Sequence, residues 1–303
     1  MLDLFGQEHR PPVIAVYHDE SGTFGCDRWC LIGLLWVNCD AQDKVVWQLM
    51  EIREKHSYWG EIHFHDLPGS FGGEYGSDAR VARDWLHLYI AELSNTIWFN
   101  ALAVDTQHKV YTPARFAHGF HAYNRFSAMA LYAGLKWHFP GAQRICLKIY
   151  SDEKARRPGG ILGDGIRTDN FEEYVCNRLK ADVLRDSRAP EVVIEGPIRP
   201  VRIPQHRTKV DIKPEEEIMQ LCDLILGCVS SAICMRSKTR TKTWFAKAIA
   251  PMIRESREPP WKQDPRLYRR FSVSYFPDDR GQVYNDGQLK VIEPPGQLRM
   301  FPE

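Results

Sequence analysis

Apolar positions recur along this chain at two periods, and the switches between them mark out its elements. Residues 12–19 (PVIAVYHD) and 29–37 (WCLIGLLWV) are β-branched and apolar almost without interruption, as in buried strands. Ser21-Gly22 offers a turn between them, so the two are expected to pair as a hairpin. Residues 41–56 change period: Val45, Val46, Leu49 and Ile52 fall at helical spacing, with Asp40 as the expected N-cap. A Gly-rich loop follows at 67–77, then a helix over 78–94, a strand over 96–105 and a long helix over 114–138. Residues 144–152 (RICLKIYSD) form another strand, which runs into the Arg/Gly-rich stretch ARRPGGILGDG. A helix over 169–186, extended segments at 191–195 and 208–212, and apolar helices over 215–235 and 241–256 complete the middle of the chain. Residues 268–276 alternate like a late strand, and the tail from 285 is rich in Pro and Gly.

Paired strands followed by strands alternating with helices predict an α/β protein with a mixed sheet covered by helices. The expected organisation is one domain over 1–235 and an irregular helical and extended C-terminal extension over 236–303, packed on it. Composition agrees with a globular chain: 44% hydrophobic and 26% charged residues, with a net charge of +1 that supplies no global field. Residues 1–150 carry 13 Lys/Arg against 16 Asp/Glu, and the remainder 27 against 23, so the second half leans basic. The eight cysteines form no CxxC pair and sit mostly in apolar runs, which argues against a zinc knuckle and for a reducing compartment. MLDLFGQEHR lacks a cationic start and a long apolar core, so no signal peptide is expected, and no wholly apolar run reaches the roughly 20 residues of a membrane span. The expectation is a cytoplasmic protein with no membrane partner.

Candidate chemistry lies in carboxylates that close apolar segments. In AVYHDESG, alternation puts Ala15, Tyr17 and Asp19 on one sheet face and Val16, His18 and Glu20 on the other. Asp152 ends the strand of LKIYSDEK in the same manner. Either aspartate could serve only its own turn. If the two strands lie parallel and adjacent, however, the carboxylates sit about 4.8 Å apart and repel unless a cation separates them. Asp223 is the only charge between Glu217 and Arg236 in an otherwise apolar helix, so it must be paired, protonated or metal-bound; a core arginine is the bland alternative. Gln220, Asp223 and Gly227 share a helical face, where Gly227 would allow backbone or a substrate to approach closely. Glu61 in YWGEIHFHDL is a fourth oxygen donor, and His63, His65 and Asp66 beside it are a softer, zinc-like alternative. Asp105, Asp211 and Glu217 are reserve carboxylates. Oxygen ligands of this kind select Mg²⁺ or Mn²⁺. Lys154, Arg156 and Arg157 follow Asp152, while Arg236, Lys238, Arg240 and Lys242 follow the Asp223 helix. Cations beside metal-holding carboxylates suit a phosphate backbone, and a solvated face is the alternative. Trp29, Trp59 and Trp261 could stack on bases or pack in a core. GxxxxGK[ST], GxGxxG and GxSxG motifs are all missing.

In order along the chain, VYHDESGTFG (16–25), GEIHFHDL (60–67), IYSDEK (149–154) and MQLCDLILGCV (219–229) resemble the segments of the domain of unknown function 3800 family, which is grouped with ribonuclease-H-like proteins. The resemblance spans about residues 12–230, with DESG and QLCDL its specific parts; Cys222 stands where the family often has Ala, and 235–303 are not covered. It implies a ribonuclease-H-like mixed sheet with an acidic metal site. Position by position it maps the carboxylates onto Asp19, Asp152 and Asp223, and less surely onto Glu61. The implied activity is two-metal hydrolysis of nucleic-acid phosphodiesters, RNA or DNA, with Asp19 bridging the ions. The alternatives are a catalytically inactive nucleic-acid-binding or effector protein of the same fold and a metal-dependent hydrolase of another substrate. In the tail, GQLRMF is similar to the Gln-Leu-x-Leu-Phe peptides that dock on bacterial sliding clamps, which makes Gln297–Phe301 a candidate clamp contact.

Overall fold

The computed structural model describes residues 11–24, 26–73, 76–112, 116, 119–152, 170–204, 207–234, 239–258 and 261–277. Its seven strands are β1 (Val13–Ser21), β2 (Trp29–Asn38), β3 (Ile97–Asp105), β4 (Arg144–Asp152), β5 (Glu191–Ile194), β6 (Arg199–Val201) and β7 (Phe271–Phe276). They form one mixed sheet in the order β5-β4-β1-β2-β3-β7, with β6 also on β4. β2 runs antiparallel to β1 and β3, as the expected hairpin requires, whereas β1 and β4 run parallel, and so do β3 and β7.

Strand alternation sorts the side chains into two layers. Ala15 and Tyr17 of β1, with Leu31 and Leu35 of β2, join a core under α1 (Gln42–His56), α2 (Ser77–Ala91), α5 (Pro214–Cys234) and α6 (Arg240–Glu255). Ile14, Val16, Ile32 and Trp36 face a second core under α3 (Gly119–His138) and α4 (Phe171–Arg185). The result is the α/β arrangement expected: a mixed sheet with helices on both faces.

α5 crosses the first face directly over β1 and β2. Gly33 makes that approach possible, because a Cβ there would lie 2.9 Å from Leu226 Cδ1. Gly33 stands opposite Asp19 in the β1–β2 register, so the missing side chain lowers the helix where Asp19 ends its run of buried neighbours. By length and composition α5 could cross a membrane, contrary to the sequence count of apolar runs; 78% of its apolar window is buried inside the protein.

Other local expectations fail for identifiable reasons. Asp40 is not the cap of α1. Asn38 accepts from the Asp40 amide and starts a 3₁₀ turn over Cys39–Ala41, which delivers the chain to α1. α1 buries Val45, Leu49 and Arg53, while Val46 and Ile52 are half-buried. Residues 209–211 form a 3₁₀ turn instead of an extended segment, because Thr208 and Asp211 cap it reciprocally. β6 was not expected at all. It is three residues long and contains Pro200, which an edge strand tolerates.

Candidate functional site

β1 and β4 carry two of the predicted carboxylates to one end of the sheet. Their parallel register pairs His18 with Ser151, so the next residues, Asp19 and Asp152, stand level on adjacent strands. Tyr17 and Tyr150, two residues earlier, stack with ring centroids 4.9 Å apart, which places this set on the α5 side. α5 supplies Asp223, and the extended segment after α1 supplies Glu61. Asp19, Glu61, Asp152 and Asp223 line one small cleft together with His63 and Gln220.

Asp19 is the buried member, 6% exposed, and its Oδ2 has no hydrogen-bond partner among the described residues. Burial, and then the charges of Asp223, Glu20 and Asp152, push its carboxyl well above the usual carboxylate range. Asp223 is more open. Its Oδ2 accepts from the Phe64 amide at 2.7 Å, and Oδ1 lies 3.7 Å from His63 Nε2. Among the described residues, no three His, Cys, Asp or Glu side chains already converge on a metal position. The donors nevertheless fit a hard divalent cation: they are carboxylate oxygens, they repel one another, and the innermost has an oxygen with no donor. The residues of the zinc-like alternative also lie together. Asp66 is shared between the rings, its two oxygens each 3.1 Å from Nδ1 of His63 or His65.

A wider groove opens beside the cleft and shares His63 and Asp223 with it. Phe64 and Leu226 give it apolar wall, and Ser21, Ser230, Thr239 and Lys242 give it hydroxyls and a cation. Lys242 Nζ donates to the His65 carbonyl at 2.6 Å, so the cation is fixed over the segment that carries His63. Arg240 is exposed at the start of α6 and does not line the groove. Lys154, Arg156, Arg157, Arg236 and Lys238 lie outside the described residues, and so does Gln297–Phe301.

The reserve carboxylates have other uses. Asp105 accepts from Arg28 Nε and Nη2 at 3.2 and 3.0 Å, and Asp211 caps its own turn. Glu217 is fully buried and takes Arg53 Nε at 2.5 Å and Arg207 Nη2 at 2.7 Å. The core arginines that could have neutralised Asp223 therefore engage Glu216, Glu217 and Gln220, one to two turns earlier on α5. Gly227 lines the groove, but what approaches it closely is the Phe64 ring, with Cγ 2.2 Å from where a Cβ would be. The sequence reading missed Arg53, Arg207 and Glu216. An arginine four residues after Leu49 on a helix whose buried face begins Val45, Leu49 was the available signal.

No family model matches the chain, and no curated protein matches it. Among solved structures, it is similar to the ribonuclease H2 from Pyrococcus horikoshii OT3, at 14% identity over 85% of this chain and 92% of that one, with a TM-score of 0.37. A likeness of that size says nothing of this chain's activity, which has to be argued from the cleft.

Proposed function

We propose that this chain is a divalent-metal-dependent nuclease of the ribonuclease-H-like type and a member of the domain of unknown function 3800 family. One observation supports the reading: two parallel strand ends and a buried helix bring Asp19, Asp152 and Asp223 to one cleft, where the buried Asp19 has an oxygen without a partner among the described residues. Carboxyl ends of adjacent parallel strands are where α/β sheets collect ligands.

Asp19, Asp152 and Asp223, with Glu61, would hold Mg²⁺ or Mn²⁺, which when bound would supply an activated water and offset charge on the departing oxygen. Asp19, the innermost carboxyl, would release its proton as a cation binds. Asp223 is held in orientation by the Phe64 amide, which leaves Oδ1 toward His63. Lys242 meets phosphate in the adjoining groove, and the Ser21, Ser230 and Thr239 hydroxyls offer hydrogen bonds to phosphate or sugar oxygens. Neutralising the strand there keeps two sets of negative charge, carboxylates and phosphates, from repelling.

The test is cleavage of labelled single- and double-stranded RNA and DNA in Mg²⁺, Mn²⁺ or chelator, with Asp19→Asn and Asp223→Asn alongside. Cleavage is expected only with metal and is expected to fall at least 100-fold in both variants, a loss of about 2.7 kcal/mol in transition-state stabilisation. Unchanged cleavage in both variants refutes the proposal. Metal-independent strand binding that survives Asp19→Asn, without cleavage by the wild type, would instead identify a binding protein of the same fold.

A further inference from the structure

The most deeply buried charges in the described structure lie beside the cleft and are not part of it. Arg53 and Glu217 side chains are 0% exposed, and those of Arg207 and Glu216 are 1% and 3% exposed. Buried ion pairs are weak stabilisers, since apolar replacements often do as well, so stability alone does not account for four such charges. Their remaining hydrogen bonds show what they hold. Arg53 Nη1 donates to the Tyr58 and Gly60 carbonyls at 3.2 and 2.9 Å, and Arg207 Nε donates to the Trp59 carbonyl at 3.1 Å. Arg53 Nη2, Arg207 Nη2 and the Ile62 amide all donate to Gln220 Oε1, at 3.1, 3.1 and 2.6 Å.

Gln220 cannot turn over. Its Nε2 donates to the Glu216 carbonyl at 2.9 Å and to Glu217 Oε1 at 3.1 Å; a flipped amide would aim donors at three donors. One turn later Asp223 takes the Phe64 amide. Alternate amides of an extended segment thus run onto residues three apart on a helix. Side chains alternate along such a segment, and Glu61 and His63 line the cleft with Asp19 and Asp152.

We propose that Gln220 is a positioning residue: with Arg53, Glu217 and Arg207 it clamps Gly60–Phe64 to α5, so that Glu61 is delivered to the carboxylate cleft. The delivery half of this inference rests on the metal reading above; the clamp itself does not.

The test uses the full chain as Gln220→Leu, which keeps much of the volume and loses the acceptor, and as Gln220→Glu, which keeps an acceptor oxygen. Hydrogen–deuterium exchange without metal reads the clamp. Exchange at 60–66 is expected at least 10-fold faster in Gln220→Leu, with the interior of α5 unchanged, and close to wild type in Gln220→Glu. Mn²⁺ binding, followed by electron paramagnetic resonance, reads the delivery. Affinity is expected to fall 10- to 100-fold in Gln220→Leu, the usual loss when a group orienting a metal ligand is removed, and to recover in Gln220→Glu. Unchanged exchange at 60–66 overturns the clamp. Faster exchange with unchanged Mn²⁺ affinity overturns the delivery of Glu61. A wild type that binds no Mn²⁺ overturns the metal reading and the delivery with it, while the exchange experiment still decides the clamp. Should Gln220→Leu not fold, Gln220→Met takes both measurements in its place, with the same outcomes.

Discussion

Replacing Asp19 with asparagine changes one charge in the cleft and almost none of its shape. Without metal, the wild-type carboxyl is buried, crowded by Asp223 and Asp152, and has one oxygen without a donor. A buried polar group left unsatisfied costs about 1–3 kcal/mol. The asparagine amide brings N–H donors to a place where the neighbouring carboxylates can accept. In chelator at pH 8, Asp19→Asn is therefore expected to be more stable than wild type by about 1–3 kcal/mol, roughly 2–6 °C in Tm at about 2 °C per kcal/mol. The pH dependence has a definite sign. The folded pKa of Asp19 is raised above the unfolded value of about 3.9, so between the two the folded state keeps a proton that the unfolded chain has lost. Wild-type stability then falls as pH rises above about 4, and the advantage of the variant grows over the same range and vanishes below it. Metal reverses the order. At a Mn²⁺ concentration of about 100 Kd, wild type gains about 2.7 kcal/mol and the variant little. Calorimetry from pH 4 to 8, in chelator and in Mn²⁺, measures all three effects. A variant less stable than wild type in chelator at pH 8, or an equal Mn²⁺ shift in both proteins, refutes the reasoning.

Four further outcomes can be measured. Burial lowers His138 to about 3 although its Nδ1 donates to the Arg269 carbonyl, so the unfolded chain protonates first and stability drops below pH 6.5, by about 2 kcal/mol at pH 5; His138→Gln should flatten that slope in acid denaturation curves. Arg53→Met leaves Glu217 with Arg207 alone and should cost about 3–5 kcal/mol in urea denaturation, most of it recovered when Glu217→Leu is added. Gly227→Ala puts a methyl against the Phe64 ring and should cost about 1–3 kcal/mol, with weaker Mn²⁺ binding because the Phe64 amide holds Asp223. Lys242→Gln should weaken oligonucleotide binding alike for all sequences and reduce its salt slope by about 1, read by fluorescence anisotropy; an unchanged slope would remove Lys242 from the groove's phosphate contacts.

What could be read from the sequence was whatever depends on short-range period. Alternation in AVYHDESG places Asp19 with Ala15 and Tyr17, and the two cores divide β1 in that way. The uniform apolarity around Asp223 marks it as a carboxylate that needs a partner. The parallel contact of β1 with β4 could only be a condition, because nothing local in two apolar runs separated by more than a hundred residues states their register. The clamp was illegible for the same reason carried further. It joins Arg53, Gly60, Ile62, Arg207 and Glu217, no two of which betray each other by spacing: Arg53 falls on the buried face of its helix, but nothing local names its partners. Gly227 was legible as a point of close approach, but sequence alone could not say that an aromatic ring would occupy it.

α5 sets two acidic problems side by side and solves them differently. Glu216 and Glu217, in its first turn, are buried against Arg53 and Arg207, whose donors also reach Gln220 and the backbone of 58–60. Those guanidiniums supply enough positive charge for the carboxylates they touch, and their forks have no reach left for a residue two turns on. Asp223 then arrives over β1 at the level where Gly33 lets the helix settle, beside an Asp19 already short of a donor and level with Asp152. Had the chain needed only stability, an apolar residue of similar size at 19 would have removed the repulsion. A protein that balances the charge of one acidic pair so completely, and six residues later brings Asp223 beside Asp152 and a buried Asp19, has the arrangement on which the proposed cation site rests.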